Sequence, residues 1–172
     1  MRVGTLWDNN IRQSDSGFSL VELIIVITIV AILSGFAVPS ILELSRDMKF
    51  RQASREIVST FRKAKDYAIS KNVQHRVNFN ASTRQYLIIQ GNSLYRSTAW
   101  SPLGNAMMEL PIGVFINFSS GFNTLSVQFN PNGTALDISG GLNSAIVKIQ
   151  DSTAKTRYLV TVEKSGRIRT SR

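Results

Sequence analysis

The sequence predicts an α+β fold in which one long N-terminal helix, with a membrane half and an amphipathic half, packs on a C-terminal antiparallel β-sheet domain. Three observations predict it. An unbroken apolar run begins after Gly17, which is typical of a helix in an apolar environment. Beyond Pro39 the apolar residues are spaced by threes and fours, as in an amphipathic helix. From Val73 onward, short alternating segments rich in Val, Ile, Phe and Tyr indicate strands.

The apolar run covers residues 18–38 and is long enough to cross the hydrocarbon core of a bilayer as one helix. Its clearly polar side chains are few: Ser19, Glu22, Thr28 and Ser34. A carboxylate at the middle of a membrane costs about 2.5–3.5 kcal/mol on insertion scales, and such residues are usually functional. Glu22 lies near one end of the run, where the cost is lower, so a functional role is the first hypothesis for it.

The 17 residues before this run are polar and contain no apolar core of their own. An ordinary secretory signal has its hydrophobic stretch before the cleavage site and loses it on processing. A conventional cut near Ala37 is one alternative, although Pro39 close behind makes it a poor site. A single-pass membrane protein with an unrelated C-terminal domain is another.

The N-terminus resembles that of type IV pilins and type II secretion pseudopilins. The matching features are Gly17, Phe18, Glu22 as the fifth residue after the glycine, the unbroken apolar helix, and Pro39. The resemblance implies cleavage between Gly17 and Phe18 by a prepilin peptidase and N-methylation of Phe18. It also implies that Glu22 neutralises the Phe18 amine of a neighbouring subunit during assembly. The predicted segments are a leader (1–17), a transmembrane or filament-core helix (18–38), an amphipathic helix (39–71) and a β domain (72–172).

The same resemblance implies the partners and the location of the protein. The expected partners are other pilin or pseudopilin subunits, the prepilin peptidase, an inner-membrane assembly platform and membrane lipid. The chain is expected to cross the inner membrane once, with its C-terminal domain in the periplasm, and to be extracted into a periplasm-spanning or extracellular filament. Two features depart from this expectation. The leader has no net side-chain charge, and the bases just beyond the run favour the opposite orientation by the positive-inside rule: Arg46, Lys49, Arg51 and Arg55.

The predicted helix extends from Phe18 to about Lys71, or roughly 80 Å at 1.5 Å per residue. Pro39 removes a backbone donor and is expected to kink the helix or to melt it locally. The apolar stripe expected to lie on the sheet comprises Ile41, Leu44, Met48, Ile57, Phe61, Ala64 and Ala68. The opposite face carries the bases Arg46, Lys49, Arg55, Arg62, Lys63 and Lys65, with acids interspersed. That face is either a solvated surface or a contact with neighbouring subunits.

Six strands are predicted in the C-terminal domain: Arg76–Asn80, Tyr86–Gln90, Val114–Phe118, Ser126–Asn130, Ala145–Gln150 and Tyr158–Glu163. Gly91-Asn92 is expected at the centre of a hairpin, and Pro131-Asn132-Gly133 in a turn with Gly133 at positive φ. Residues 97–113 are interpreted as a loop. Two segments, 129–135 and 165–169, resemble the strand-turn-strand and the closing segment of the GspH/FimT group of minor pilins and pseudopilins.

No pattern of catalytic, metal-binding or cofactor-binding residues is present. The chain has no cysteine, which excludes disulfides and thiol chemistry, and this absence leans towards a minor pilin or pseudopilin. The lone His75 is interpreted as an ordinary surface or hydrogen-bonding residue, and the carboxylates Asp137, Asp151 and Glu163 are dispersed. Gly140-Gly141 is a turn and not a phosphate loop. The sequence therefore predicts a protein that is not an enzyme.

The C-terminal segment is the one candidate for ligand binding. It contains Lys164, Arg167, Arg169 and Arg172 in a chain of net charge +9. Residues two apart on an extended segment point to the same side, so Arg167 and Arg169 are placed to contact successive phosphates. Gly166, Arg167 and Arg169 resemble the Gly-Arg-x-Arg tail of FimT-like minor pilins, which implies DNA capture in natural transformation. The alternatives are a frayed basic terminus that pairs with nearby acids, or a subunit contact. The main hypothesis is thus a structural minor pilin or pseudopilin, with a DNA-binding minor pilin as the alternative.

Overall fold

The structure is a computed structural model that describes residues 17–80, 82–104, 107–118, 126–137 and 144–172. For residues 36–40 and 137 it describes the backbone alone. The predicted leader up to Ser16, the Gly140-Gly141 turn and the side chain of Asp137 therefore lie outside the described residues.

The single helix of the described chain, α1, extends over Leu20–Lys71. Ser19 precedes it, a residue type favoured at helix N-termini, and the Leu23 amide donates the first helical hydrogen bond to the Ser19 carbonyl at 3.1 Å. Asn72 follows Lys71 in the left-handed conformation (φ 55°), a common way for a helix to end. The prediction of one long N-terminal helix is confirmed. Helical backbone continues through Pro39, so the expected local melting was wrong.

The chain divides into two compact units, residues 1–42 and 43–172. In the described part of the first unit, the large apolar side chains from Phe18 to Leu33 are all exposed. Across the residues described, no helix combines the length and the apolar character needed to cross a membrane. The predicted span 18–38 includes residues 36–38, whose side chains are not described, and it stays a prediction.

The second unit contains two antiparallel sheets. Their strands, in chain order, are β1 His75–Asn80, β2 Gln85–Gly91, β3 Trp100–Pro102, β4 Met108–Glu109, β5 Phe115–Phe118, β6 Ser126–Phe129, β7 Ala135–Asp137, β8 Ala145–Gln150, β9 Thr156–Val162 and β10 Ile168–Ser171. The larger sheet has the order β3-β2-β1-β6-β7, with β4 also paired to β2, and the smaller has the order β10-β9-β8-β5. The prediction of an α+β fold with an antiparallel domain is confirmed.

The core forms where the second half of α1 packs on both sheets. Ala53, Ile57, Phe61, Ala64 and Ala68 of the helix are fully buried. The larger sheet contributes buried Val77, Val127 and Phe129, and the smaller contributes buried Val147, Ile149 and Val160. The ring of Phe61 lies 5.9 Å from that of Phe79 and 6.0 Å from that of Phe129.

The predicted apolar stripe is correct only in its second part. Ile41, Leu44 and Met48 are each more than 60% exposed, whereas the stripe from Ile57 to Ala68 is buried. The first buried residue of the helix is Phe50, which was not part of the predicted stripe. The stripe residues before it lie where neither sheet covers the helix.

The six predicted strands are all present, and four more strands are short or follow a turn. The Gly133 turn is confirmed, with φ 80° and a hydrogen bond from its amide to the Asn130 carbonyl at 2.9 Å. β2 and β3 form an antiparallel hairpin, but its expected centre at Gly91-Asn92 was wrong, because Gly91 is the last residue of β2 and lies opposite Trp100. A Cβ there would overlap the Ser97 hydroxyl, so this glycine permits a close approach and not a tight turn.

Candidate functional site

The junction between Gly17 and Phe18 lies in non-helical backbone immediately before α1. Phe18 is 84% exposed, and among the described residues no atom other than those of the adjoining residues lies within 4 Å of a Cβ built on Gly17. A peptidase reaches a peptide bond in exposed, non-helical backbone, and α1 begins only at Leu20. No described residue therefore covers the predicted cleavage and methylation positions.

Glu22 is the acidic residue of the first helical turn and is exposed. The free amide groups of a helix N-terminus stabilise a carboxylate there by about 0.3–1 kcal/mol. No Lys or Arg of the described chain is within ion-pair distance of Glu22. The N-terminus of its own helix thus stabilises the charged carboxylate. The carboxylate is left available to a cation outside the described part of the chain.

Two other polar side chains of the apolar segment form hydrogen bonds within their own helix. The Thr28 hydroxyl donates to the Ile24 carbonyl and the Ser34 hydroxyl to the Val30 carbonyl, both at 2.7 Å. Such bonds one turn back along a helix hide a hydroxyl from an apolar environment. Glu22 therefore differs from them, since it is the one charged group between Phe18 and Gly35.

The predicted ligand-binding segment, Lys164–Arg172, is not frayed. It consists of a turn at Ser165-Gly166 and the edge strand β10, which pairs with β9 from Ile168 opposite Val162 to Ser171 opposite Leu159. Val160 and Val162 point into the core, so alternation directs Arg169 to the outer face of the sheet. Arg167 lies two residues before Arg169 and is exposed, consistent with the predicted common side. We call this segment the basic edge.

Two of the four bases in the basic edge have acidic partners. The Arg169 guanidinium contacts the Glu163 carboxylate at 3.1 Å, and that of Arg172 contacts the Asp47 carboxylate at 2.8 Å. All four side chains are substantially exposed to solvent, and such pairs are usually worth about 0–1 kcal/mol. Lys164 and Arg167 have no carboxylate within ion-pair distance among the described residues.

A second basic surface includes two residues of the basic helix face expected from the sequence, Arg55 and Arg62, together with Arg51. Arg51, Arg55 and Arg62 lie along one side of α1 and line a cavity of about 440 Å³ together with Tyr158 of β9 and Thr170 of β10. We call it the arginine groove; its remaining lining residues are Ser54, Val58 and Ser59. Arg51, Arg55 and Arg62 are spaced by four and seven residues and so share a helix face, but no local sequence pattern places β10 beside them.

His75 is buried and lies within the fold, not at a reactive surface. Its Nδ1 is 3.0 Å from the Val73 carbonyl and its ring stacks on Tyr67. Nε2 has no hydrogen-bond partner among the described atoms. Burial lowers the pKa of His75, opposed by the Val73 hydrogen bond and assisted by the charge of Lys71. The ring is therefore held neutral, as a packing residue.

The dispersed carboxylates also have structural partners. Hydrogen bonds to the Asp151 carboxylate, led by that from the Thr153 hydroxyl, lower its pKa to about 2 and organise the turn between β8 and β9. Glu163 pairs with Arg169. In the described ranges, no three His, Cys, Asp or Glu side chains come together in a way that would hold a metal ion.

Comparison with known proteins yields one motif and one fold. Residues 12–38 match the prokaryotic N-terminal methylation motif. No curated protein matches the chain.

Solved structures with the same fold include the minor pseudopilin EpsH from the type 2 secretion system of Vibrio cholerae, at 15% identity and TM-score 0.54, over 72% of this chain and 96% of that one. The type IV minor pilin FimU of Pseudomonas aeruginosa has 15% identity and TM-score 0.56, over 75% and 92%. Escherichia coli GspH has 11% identity and TM-score 0.55, over 73% and 89%.

These findings confirm the resemblance to the pilin-like GspH/FimT group. The motif covers the predicted cleavage junction and Glu22, and the fold of the remainder is that of minor pseudopilins and minor pilins. The named neighbours are a minor pseudopilin and a minor pilin.

Proposed function

We propose that this chain is a minor subunit of a pilus-like filament, either a type II secretion pseudopilus or a type IV pilus. A prepilin peptidase cuts between Gly17 and Phe18, and Phe18 is N-methylated. Before assembly the helix of residues 18–38 anchors the protein in the inner membrane with the β domain in the periplasm. An assembly platform then extracts it into the filament, where Glu22 neutralises the Phe18 amine of a neighbouring subunit.

One observation carries this proposal: a fully exposed apolar helix segment whose single charged group, Glu22, lies within the matched methylation motif. Exposed apolar side chains from Phe18 to Leu33 need either lipid or other helices around them. A filament core of packed helices supplies the second environment, and the neutralising pair lowers the cost of a charge there.

The test replaces Glu22 by Ala and measures incorporation into sheared filaments by immunoblot. We expect the level of membrane-bound protein to be unchanged and incorporation to fall at least tenfold, because the neighbouring amine loses its partner. Thr28→Val is the matched control, since it removes a polar group that is already satisfied within the helix. Equal incorporation of Glu22→Ala and the parent protein would refute the assembly role.

Mass spectrometry of the mature N-terminus tests the processing steps separately. A methylated Phe18 as first residue is the expected result. A chain that still begins at Met1, or one cut near Ala37, would contradict the proposed class.

A second candidate function is DNA binding by the basic edge. It is supported by the exposure of Arg169 on β10 and of Arg167 just before it, and by the absence of a carboxylate near Arg167 among the described residues. Phosphate contacts of this kind are independent of sequence and weaken steeply with salt. Glu163 pairs with Arg169 and therefore competes with phosphate for it. Removing the arginine should weaken DNA binding, and removing the carboxylate should strengthen it.

For this test, the full chain in detergent is titrated with labelled duplex DNA and binding is followed by anisotropy. The double replacement Arg167→Gln/Arg169→Gln is expected to weaken binding on all sequences, and Glu163→Gln to strengthen it. Arg46→Gln/Lys49→Gln removes the same charge from α1 and serves as control. DNA binding that is unchanged in the Arg167/Arg169 variant would exclude the basic edge as the site.

A further inference from the structure

The arginine groove continues into a second cavity along the same helix. This neighbouring cavity has a volume of about 490 Å³ and shares Arg51, Tyr158 and Thr170 with the groove. Its other lining residues are Leu44, Asp47, Met48, Ser171 and Arg172. The two cavities form one channel beside α1 from Leu44 to Arg62, about 27 Å long at the rise of a helix.

At the end formed by the arginine groove, the lining of this channel is positively charged and contains no carboxylate among the described residues. Arg51, Arg55 and Arg62 have no carboxylate within ion-pair distance in the described part of the chain. At the other end Asp47 is already paired with Arg172. An occupant with two or three negative charges would therefore find unpaired guanidinium groups, which bind carboxylates well through paired hydrogen bonds.

The shape and the remaining lining favour a peptide as the occupant. Each cavity has a volume typical of a small-ligand site, which suits the side chains of a short segment of chain. Leu44, Met48 and Val58 add apolar surface and Ser54 and Ser59 add hydroxyls, so the aliphatic parts of acidic side chains and their carboxylates both find contacts there.

The strand beside the channel adds backbone groups. β10 is the end strand of the smaller sheet and pairs with β9 alone among the described strands. The unpaired side of an edge strand presents amide and carbonyl groups that can accept another strand. Thr170 and Ser171 of β10 line the channel, so an added strand would lie next to the arginines.

From this geometry we infer that the channel binds an extended acidic segment of a partner protein. The segment pairs with β10, and its carboxylates contact Arg51, Arg55 and Arg62. At about 3.3 Å per residue, eight extended residues fill the channel. Alternating acidic and apolar residues place all the carboxylates on the side of the helix. This site is separate from the assembly segment at Glu22 and does not depend on the filament role.

The probe for the experiment is a fluorescent eight-residue peptide that alternates Asp or Glu with Val or Thr. It is titrated into the full chain in detergent and followed by anisotropy. Arg51→Gln/Arg55→Gln/Arg62→Gln is expected to weaken binding at least tenfold, since three ion pairs are lost. The control Arg46→Gln/Lys49→Gln/Lys63→Gln removes the same charge from exposed positions on the same helix and is expected to change affinity less than twofold.

Three outcomes would overturn the inference. Equal loss in the two triple variants would mean a general charge effect without a site. Equal affinity for a peptide with Asn and Gln in place of Asp and Glu would mean that the arginines do not recognise carboxylates. Duplex DNA binding that depends on the three groove arginines, with no peptide binding, would assign the surface to nucleic acid. Circular dichroism of each variant confirms that it is folded.

Discussion

At the scale of single residues, two glycines in different turns of the β domain approach each other closely. Gly133 follows β6, Gly166 follows β9, and both have positive φ, of 80° and 73°. A Cβ on Gly166 would overlap the Gly133 carbonyl oxygen, and the Lys65 ammonium donates to the Gly166 carbonyl at 3.1 Å. The two segments with resemblance to the GspH/FimT group thus meet in space at these glycines.

Replacing Gly166 by Ala is expected to destabilise the domain by about 3 kcal/mol or more, because the left-handed backbone and the overlap both oppose a Cβ. Gly113→Ala is the matched control: φ is 86° there, but no atom of the described residues beyond its neighbours lies within 4 Å of the added carbon. It should cost only about 1–2 kcal/mol. Urea denaturation of the two variants measures the difference, and equal costs would show that the contact between the turns is unimportant.

His75 is expected to make stability depend on pH below neutrality. Its pKa is lowered in the folded state from the ordinary 6.5, so the unfolded chain takes up a proton first. Stability is therefore constant above about pH 6.5 and falls as the pH drops below that value towards the folded pKa. Urea denaturation between pH 7.5 and pH 5 should show this loss, and His75→Phe should show a smaller slope. An unchanged slope would mean that other groups cause the dependence.

At the scale of elements, α1 carries two different surfaces in the second unit. Its apolar side chains are exposed at Leu44 and Met48, whereas those that face the sheets, from Phe50 to Ala68, are buried. Hydrophobic spacing predicted the helix but not where the sheets begin to cover it, since that boundary depends on strands far along the chain.

Phe61→Ala is expected to cost about 3–5 kcal/mol, because it leaves a cavity between the rings of Phe79 and Phe129. Met48→Ala, on the same predicted stripe, should change the free energy of unfolding by less than about 0.5 kcal/mol, since the side chain is 61% exposed. Thermal or urea unfolding distinguishes the two. A large cost at Met48 would mean that its side chain is covered in solution.

The strands show which features could be predicted locally. Ala145–Gln150 and Tyr158–Glu163 alternate strongly and were predicted within two residues. In contrast, β3, β4 and β7 have two or three residues each, so alternation cannot reveal them. β10 is a strand because it pairs with the edge of β9. Position 91 requires a glycine because Ser97 lies too close for a Cβ, and not because a turn is formed there.

At the scale of the whole molecule, the hydrophobic core lies entirely within the second unit. Every residue of the buried cluster falls between Phe50 and Val162. A fragment of residues 43–172 is therefore expected to fold alone, with a free energy of unfolding within about 1 kcal/mol of the full chain. Urea denaturation of the fragment and of the full chain in the same detergent checks this. A fragment without cooperative unfolding would show that residues before Glu43 contribute to the fold.

The candidate sites also differ in how much of each can be predicted from the sequence. Gly17, Phe18 and Glu22 lie within six consecutive residues, so their pattern is complete in the sequence. The arginine groove needs α1 and β10 side by side, and the pairs of Arg169 with Glu163 and of Arg172 with Asp47 depend on that tertiary structure. The groove and these ion pairs could therefore not be predicted from the sequence.

The hydrogen bond from Lys65 to the Gly166 carbonyl joins positions 101 residues apart. Together with the β9–β10 hairpin, it means that the domain closes only after β10 has been synthesised. Contacts of such long sequence separation slow folding, because the intervening chain must be ordered first. Until then, the edge of β9 that pairs with β10 is open. The nascent protein therefore passes through an aggregation-prone interval whose length is set by the time needed to make its last strand.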